Sequence, residues 1–149
     1  LLGARLWPYD RLLCASPDYV RRMGLPREPE DLKSHRLVMH TGPHVLKDWH
    51  LRQDKRILRL HAEPAVRVSS GSGLMAMVLQ GMGIARLADW AAQPEIERGA
   101  LVRVCPGYTV TSAQGAAPQM HAVYASRSLP ARARAMLAAI RQCGNGPGR

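Results

Sequence analysis

The chain has 149 residues, 46% of them apolar, and a formal net charge of +10. That length allows one domain or a little less than two, with enough apolar residues for a real core. No apolar run reaches the roughly 18 residues of a membrane span, and no charged-then-apolar leader opens the chain. Three cysteines, Cys14, Cys105 and Cys143, lack CxxC spacing and read as reduced thiols of a cytoplasmic protein. The positive charge permits attraction to nucleic acid or acidic surfaces. The arginines are scattered, however, and phenylalanine is absent, so no aromatic platform for RNA is expected. Leu1 in place of methionine reads as an excised or processed piece.

In chain order, Leu1–Pro8 is a lead-in and Arg11–Ala15 a short apolar strand. Ser16-Pro17 opens a helix over Asp18–Met23, with serine as cap and proline at the first position, and Gly24 closes it. Pro29–Leu32 predicts a short helical turn with acidic residues at its start. Leu37–His40 is a strand and Thr41–Lys47 a loop. Trp49–Arg52 and Arg56–Leu60 flank a Gln53-Asp54-Lys55 turn, a hairpin in character.

Val66–Trp90 reads as strand, tight loop, helix, turn and strand. Val66 and Val68 alternate with polar neighbours, and Ser69–Gly73 stops that pattern with capping residues. Leu74, Val78 and Met82 fall four apart on one helix face, which Gly81 and Gly83 end. Ile84–Leu87 is the second strand, and a helix between two strands makes them parallel. Further on, Asp89 caps a helix over Trp90–Arg98, closed by Gly99. Leu101–Val104 and Met120–Ala125 are strands around a loop-like Cys105–Pro118. Pro130–Cys143 is a helix with Ala133, Met136, Leu137 and Ile140 on one side, and Asn145–Arg149 is a frayed tail. Alternating strands and helices give an α/β class.

In an open parallel sheet, ligands bind beyond the carboxyl ends of the strands. Ser69–Ser72 would sit there at a helix N-terminus, which offers N–H donors and partial positive charge to an anion; serines that merely cap the helix are the plainer reading. Gly71-x-Gly73-x-x-Ala76 also fits the dinucleotide pattern G-x-G-x-x-A, the mark of a nucleotide-binding α/β enzyme. Against it, the acidic residue Asp89 follows too soon. His40, His44 and His50 cluster, but Gly42-Pro43 breaks any helix that could align them on a metal, and no metal or cofactor is expected. G-x-S-x-G is absent, and no nucleophile has a partner by pattern, so no catalysis is expected.

Several segments together resemble the effector-binding domain of LysR-type transcriptional regulators. Leu13–Val38 matches its "ASPxYL…G.P..P.DL..H.CL" pattern in Ala15-Ser16-Pro17, Tyr19, Gly24, Pro26, Pro29, Asp31-Leu32, His35 and Leu37. Trp49 matches the tryptophan of that family's hairpin. Val66–Leu87 resembles its strand, effector loop and helix, with LQGMGIARLA standing for "LAGxGIAxLP". Gly99–Val102 matches "GxLVxVL", and Ala122–Arg127 matches "AVYPSR". The chain departs from the pattern at Ala88, where the family has proline, and at Ser69-Ser70-Gly71, where asparagine is more common.

The resemblance implies a periplasmic-binding-protein-like lobe with a mixed, mainly parallel sheet flanked by helices. Residues 1–8 would be a crossing segment from a missing lobe. Residues 9–125 would form the effector-binding lobe. Residues 126–149 would be the return crossing, C-terminal helix and tail. By position, Ser69, Ser70 and Gly71 would face a small-molecule effector at the helix N-terminus, with Ser72 beside them and Met39, His40 and Thr41 at the side. The implied partners are an effector, of which a carboxylate suits the helix end, and other copies of the chain. DNA would be bound only through a missing N-terminal helix-turn-helix. The helix Pro130–Cys143 would then lack its packing partner, leaving Met136, Leu137 and Ile140 open or covered by another copy. A transport-type binding protein of the same fold is a further reading, which the absence of a leader weighs against.

Overall fold

The computed structural model describes residues 2–41, 48–125 and 128–144. Expectations that fall on Leu1, on residues 42–47 (most of the expected loop, with His44), on Ser126-Arg127 and on the tail Asn145–Arg149 lie outside the described residues. The strands are β1 (Leu2–Pro8), β2 (Arg11–Ala15), β3 (Leu37–His40), β4 (Asp48–Gln53), β5 (Arg56–His61), β6 (Pro64–Val68), β7 (Ala85–Ala88), β8 (Val102–Arg103), β9 (Thr109–Thr111) and β10 (Gln119–Tyr124). The helices are α1 (Pro17–Met23), α2 (Gly71–Leu79), α3 (Asp89–Glu97) and α4 (Ala131–Gly144), with a 3-10 turn at Pro29–Ser34.

The chain divides into two units, Asp10–Ala117 and the pair of segments Leu1–Tyr9 with Pro118–Arg149. In the larger unit β6 runs parallel to β3, and Leu37 of β3 bridges Ile84, just ahead of β7, also in parallel. β2 then pairs antiparallel with both β7 and β8. The order is therefore β6-β3-β7-β2-β8, a mixed sheet. Its strands run one way except β2, which enters in the opposite direction and makes antiparallel ladders with both neighbours, in line with the mixed, mainly parallel sheet expected. The predicted strand–helix–strand unit is present, but β3 lies between its two strands.

Strand alternation sorts the core onto the two faces of this sheet. Cys14, Val38, Ala85 and Leu87 pack with Leu74 and Val78 of α2 and Ala92 of α3. Leu13, Ala15, Leu37 and Met39 pack with Tyr19, Leu32, Trp49, Leu51 and Leu60. The hairpin β4–β5 turns through Asp54-Lys55, with Asp54 at φ +52°, a left-handed conformation that aspartate tolerates. β9, inside the stretch read as loop, adds a third strand to β4. Three residues are too few for a visible alternation, and β4 supplies the order.

Helix α2 stops at Leu79, earlier than its apolar spacing suggested. Gly81, at φ +72°, turns the chain, and Met82 is exposed. Gly83 then passes so close to β3 that a Cβ there would lie 2.4 Å from the Arg36 carbonyl oxygen. That approach lets the Ile84 N–H donate to Arg36 O and the Val38 N–H donate to Ile84 O, each at 2.8 Å.

In the smaller unit, β1 pairs antiparallel with β10. The lead-in is thus a strand, and the strand expected to end the lobe pairs with it. Neither segment announces the other in sequence. Among the described residues of α4 none is buried: Met136 is 66% exposed, while Leu137 and Ile140 are half-buried.

Two histidines of the larger unit have opposed surroundings. The Arg36 N–H donates to the Tyr19 hydroxyl at 2.9 Å, and that hydroxyl is also hydrogen-bonded with His35 Nδ1, 3.0 Å away. Burial lowers the pKa of His35. His61 sits between carboxylates, Nδ1 to Asp48 and Nε2 to Glu63, and hydrogen bonds first to Asp48 and then to Glu63 raise its pKa. His35 therefore favours the fold fully above the ordinary value of 6.5, and this fades as pH falls toward its lowered pKa. His61 favours the fold fully below 6.5, and this fades as pH rises through its raised pKa. NMR titration of the imidazole protons is expected to place the two midpoints on opposite sides of 6.5, with Asp48→Asn bringing His61 back down. A second expectation concerns the β3 junction: Gly83→Ala lowers stability by about 1–3 kcal/mol in urea unfolding, because the methyl meets backbone rather than a yielding side chain.

Candidate functional site

The chain leaves β6 at Val68 and enters α2 through Ser69 and Ser70. Ser70 is the N-cap, with extended backbone at φ −136°, ψ 152°. Its Oγ accepts from the Gly73 N–H at 3.0 Å, and its carbonyl accepts from the Leu74 N–H at 3.0 Å. The Ser70 and Ser72 hydroxyls lie 3.3 Å apart. Gly73 is fitted to this cap, since a Cβ there would come within 3.0 Å of Ser70 Oγ. Gly71 has open space where a Cβ would be, and Ser69, Ser70, Gly71 and Ser72 are all exposed. The N–H groups of Gly71 and Ser72 belong to the first helical turn, where no intrahelical acceptor exists. No acidic residue stands in that turn, so the helix's partial positive charge is uncompensated by its own side chains.

Parallel pairing of β3 with β6 brings the side residues to the same edge. His40 lies level with Val68, and the Thr41 N–H donates to Val68 O at 2.6 Å. The Thr41 hydroxyl donates to the same carbonyl at 3.1 Å. His40 and Thr41 are exposed, whereas Met39 is 3% exposed and packs in the core beside Trp49. The structure thus gathers Ser69–Ser72 and Thr41 at one sheet edge, with Met39 beneath it.

The other chemical candidates stay apart. His40 ends β3 and His50 lies in β4. Among the described residues no group of three His, Cys, Asp or Glu could hold a metal ion. Burial pushes the thiols of Cys14 and Cys105 up to about 12, away from nucleophilic use. A cavity of about 230 Å³ between the 3-10 turn and β5 is lined by Leu32, Lys33, His35, Leu37, Leu60, His61 and Glu63, none of them a sequence candidate. Its charges are paired, Lys33 with Glu30 and His61 with Glu63. One residue escaped the sequence reading: Arg86 of β7, whose Cζ lies 4.9 Å from the centre of the buried Trp49 ring. The signal was a lone charge in the apolar run Ile84–Ala88.

Residues 1–144 match the family model described as LysR substrate binding domain. The chain belongs to that family. It is 32% identical over 98 residues to the HTH-type transcriptional regulator YhjC of Escherichia coli K12, covering 64% of this chain and 32% of YhjC. It is 25% identical over 143 residues to PtxR, an HTH-type transcriptional regulator of Pseudomonas aeruginosa, covering 95% of this chain and 44% of PtxR. The solved LysR-type regulator CrgA of Neisseria meningitidis superposes with a TM-score of 0.79 at 25% identity, over 98% of this chain and 48% of CrgA. The chain spans less than half the length of these relatives. It is the effector-sensing module of such regulators, and the nucleotide-enzyme reading finds no support among them. The cap geometry gives a reason: Gly71 and Gly73 lie inside the first helical turn, and the space at Gly73 is filled by Ser70 Oγ.

Ser70 therefore carries a structural load as well as a candidate ligand. Ser70→Ala is expected to cost about 1 kcal/mol through the lost cap, and Ser70→Gly only a few tenths, both read by urea unfolding.

Proposed function

We propose that this module senses a small anionic effector, a carboxylate, at the edge formed by Ser69, Ser70, Gly71, Ser72 and Thr41, on behalf of a LysR-type regulator. One observation carries the reading: a capped helix N-terminus free of acidic residues, with two serine hydroxyls 3.3 Å apart at the end of a parallel strand pair. Ser70 Oγ accepts from Gly73, so its hydrogen is left for Ser72 or for a bound oxygen. His40 and Thr41 flank the position, and Met39 supports it from below.

In this reading residues 1–8 and 126–149 are the crossing segments toward a second lobe, and residues 9–125 the sensing lobe. β1, in the first crossing, pairs antiparallel with β10, the strand that leads into the second. The regulator works in the cytoplasm as a homo-oligomer and catalyses nothing. It grips DNA through a helix-turn-helix segment. No helix among the described residues is long and apolar enough to cross a membrane. The effector must favour one arrangement of the regulator over another, since equal affinity for both shifts nothing.

Calorimetric titration with aliphatic and aromatic carboxylates tests the site. Ser72→Ala is expected to weaken the best-binding carboxylate by roughly tenfold or more, the loss of one charge-assisted hydrogen bond, with little change in stability. Unchanged affinity in Ser72→Ala and Ser70→Gly, or a large thermal shift with NAD or NADP and none with carboxylates, would overturn the reading.

A further inference from the structure

The cavity of about 230 Å³ between the 3-10 turn and β5 lies away from the candidate edge. Leu37, part of its lining, opens β3, and Thr41 follows the other end of that strand, about 13 Å of extended chain further on. His61 and Glu63 line it from the segment that leads into β6, again at the start of a strand. The whole lining belongs to the larger unit.

Its floor is apolar. Leu32, Leu37 and Leu60 are buried members of the core that holds Trp49. The exposed Lys33, His61 and Glu63 form the rim, and their charges are already matched. Lys33 pairs with Glu30, so it offers the cavity its hydrocarbon stem rather than its ammonium. His61 spends Nδ1 on Asp48 and Nε2 on Glu63. His35 differs from these. The Tyr19 hydroxyl occupies its Nδ1 at 3.0 Å, and a tilted contact with the Tyr19 ring, 5.7 Å between centroids, orients the imidazole. Its Nε2 has no hydrogen-bond partner among the described residues. Burial holds the ring below the ordinary 6.5, so it is uncharged at neutral pH. His35 thus lends an apolar cavity one neutral, unspent polar atom.

These features select a ligand class. The space far exceeds the roughly 30 Å³ share of one water, and an apolar cavity of about 150 Å³ is enough to admit benzene. A leucine floor favours a hydrocarbon body. The rim disfavours an ion, since an anion meets Glu63, a cation meets Lys33 and His61, and either must break a pair before it gains a partner. A hydroxyl suits the one open nitrogen, because it donates to the ring in one tautomer and accepts from it in the other.

We propose that this cavity is a second ligand site, which takes a small uncharged phenol or cyclic alcohol with its hydrocarbon part on Leu32, Leu37 and Leu60 and its hydroxyl on His35 Nε2. It is independent of the Ser69–Ser72 turn and of the anion proposed there.

Phenol is the probe, titrated into the 149-residue chain and followed by NMR. The His35 imidazole signals are expected to move with phenol while the Ser69–Ser72 amides stay in place. Benzene, which lacks the hydroxyl, is expected to bind about threefold to tenfold more weakly, the worth of one neutral hydrogen bond. Benzoate and benzylammonium leave the His35 signals unmoved. His35→Phe removes the polar atom and lowers phenol to the affinity of benzene. Lys33→Trp, at an exposed position on the rim, blocks the cavity without entering the core and abolishes binding of both, so the test stands even if His35→Phe disturbs folding. Phenol shifts confined to Ser69–Ser72 overturn the inference, as does phenol affinity unchanged in Lys33→Trp. A folded His35→Phe chain that still prefers phenol to benzene overturns the role of His35, and benzoate moving the His35 signals as phenol does overturns the uncharged class. Binding of neither phenol nor benzene removes the site and leaves the Ser69–Ser72 reading untouched.

Discussion

The larger unit depends on one close backbone approach, where Gly83 passes the Arg36 carbonyl and delivers Ile84 to β3. Two short hydrogen bonds, Ile84 N–H to Arg36 O and Val38 N–H to Ile84 O, hold β3 inside the crossover. Their consequence is topological. Because β3 lies between β6 and β7, helix α2 must pass over it, and the start of that helix comes to the end of β3. The alternation of β3 does the rest: Val38 packs under α2, while Leu37 and Met39 pack toward Trp49. A side chain at Gly83 would push the segment before β7 away from β3.

At that edge, stability and the proposed recognition would draw on the same atoms. The Ser70 hydroxyl closes the helix by accepting from Gly73, and its remaining hydrogen is the one a ligand would take. Gly73 is small because the cap needs the room, and Thr41 spends both N–H and hydroxyl on Val68. The edge is therefore built before any effector arrives, so binding need not order it, and less of the interaction energy is lost to ordering.

What the sequence made legible follows from how far each signal reaches. The β6–α2–β7 crossover was visible because its periods and caps lie within one short stretch, and Ser16-Pro17 marked α1 for the same reason. β1 and β9 were not visible. β1 is ordered by β10 from the other end of the chain, and β9 by β4 across the hairpin. The helix end was misjudged because Met82 continues the apolar spacing that Gly81 has already broken. Of the candidate site, the serine turn was legible from composition and place. Met39 is buried in the core beneath that turn.

The charges of the chain bear on which ligands it would attract. Many acidic side chains on the surface are already matched: Asp18 with Arg21 and Arg22, Glu30 with Lys33, Asp48 with Arg59, and Glu95 with Arg98. These exposed pairs add little to stability. They do leave an excess of arginine whose field favours small anions in general. A helix N-terminus adds about 0.3–1 kcal/mol for a negative group, enough to favour an anion but too little to tell one carboxylic acid from another.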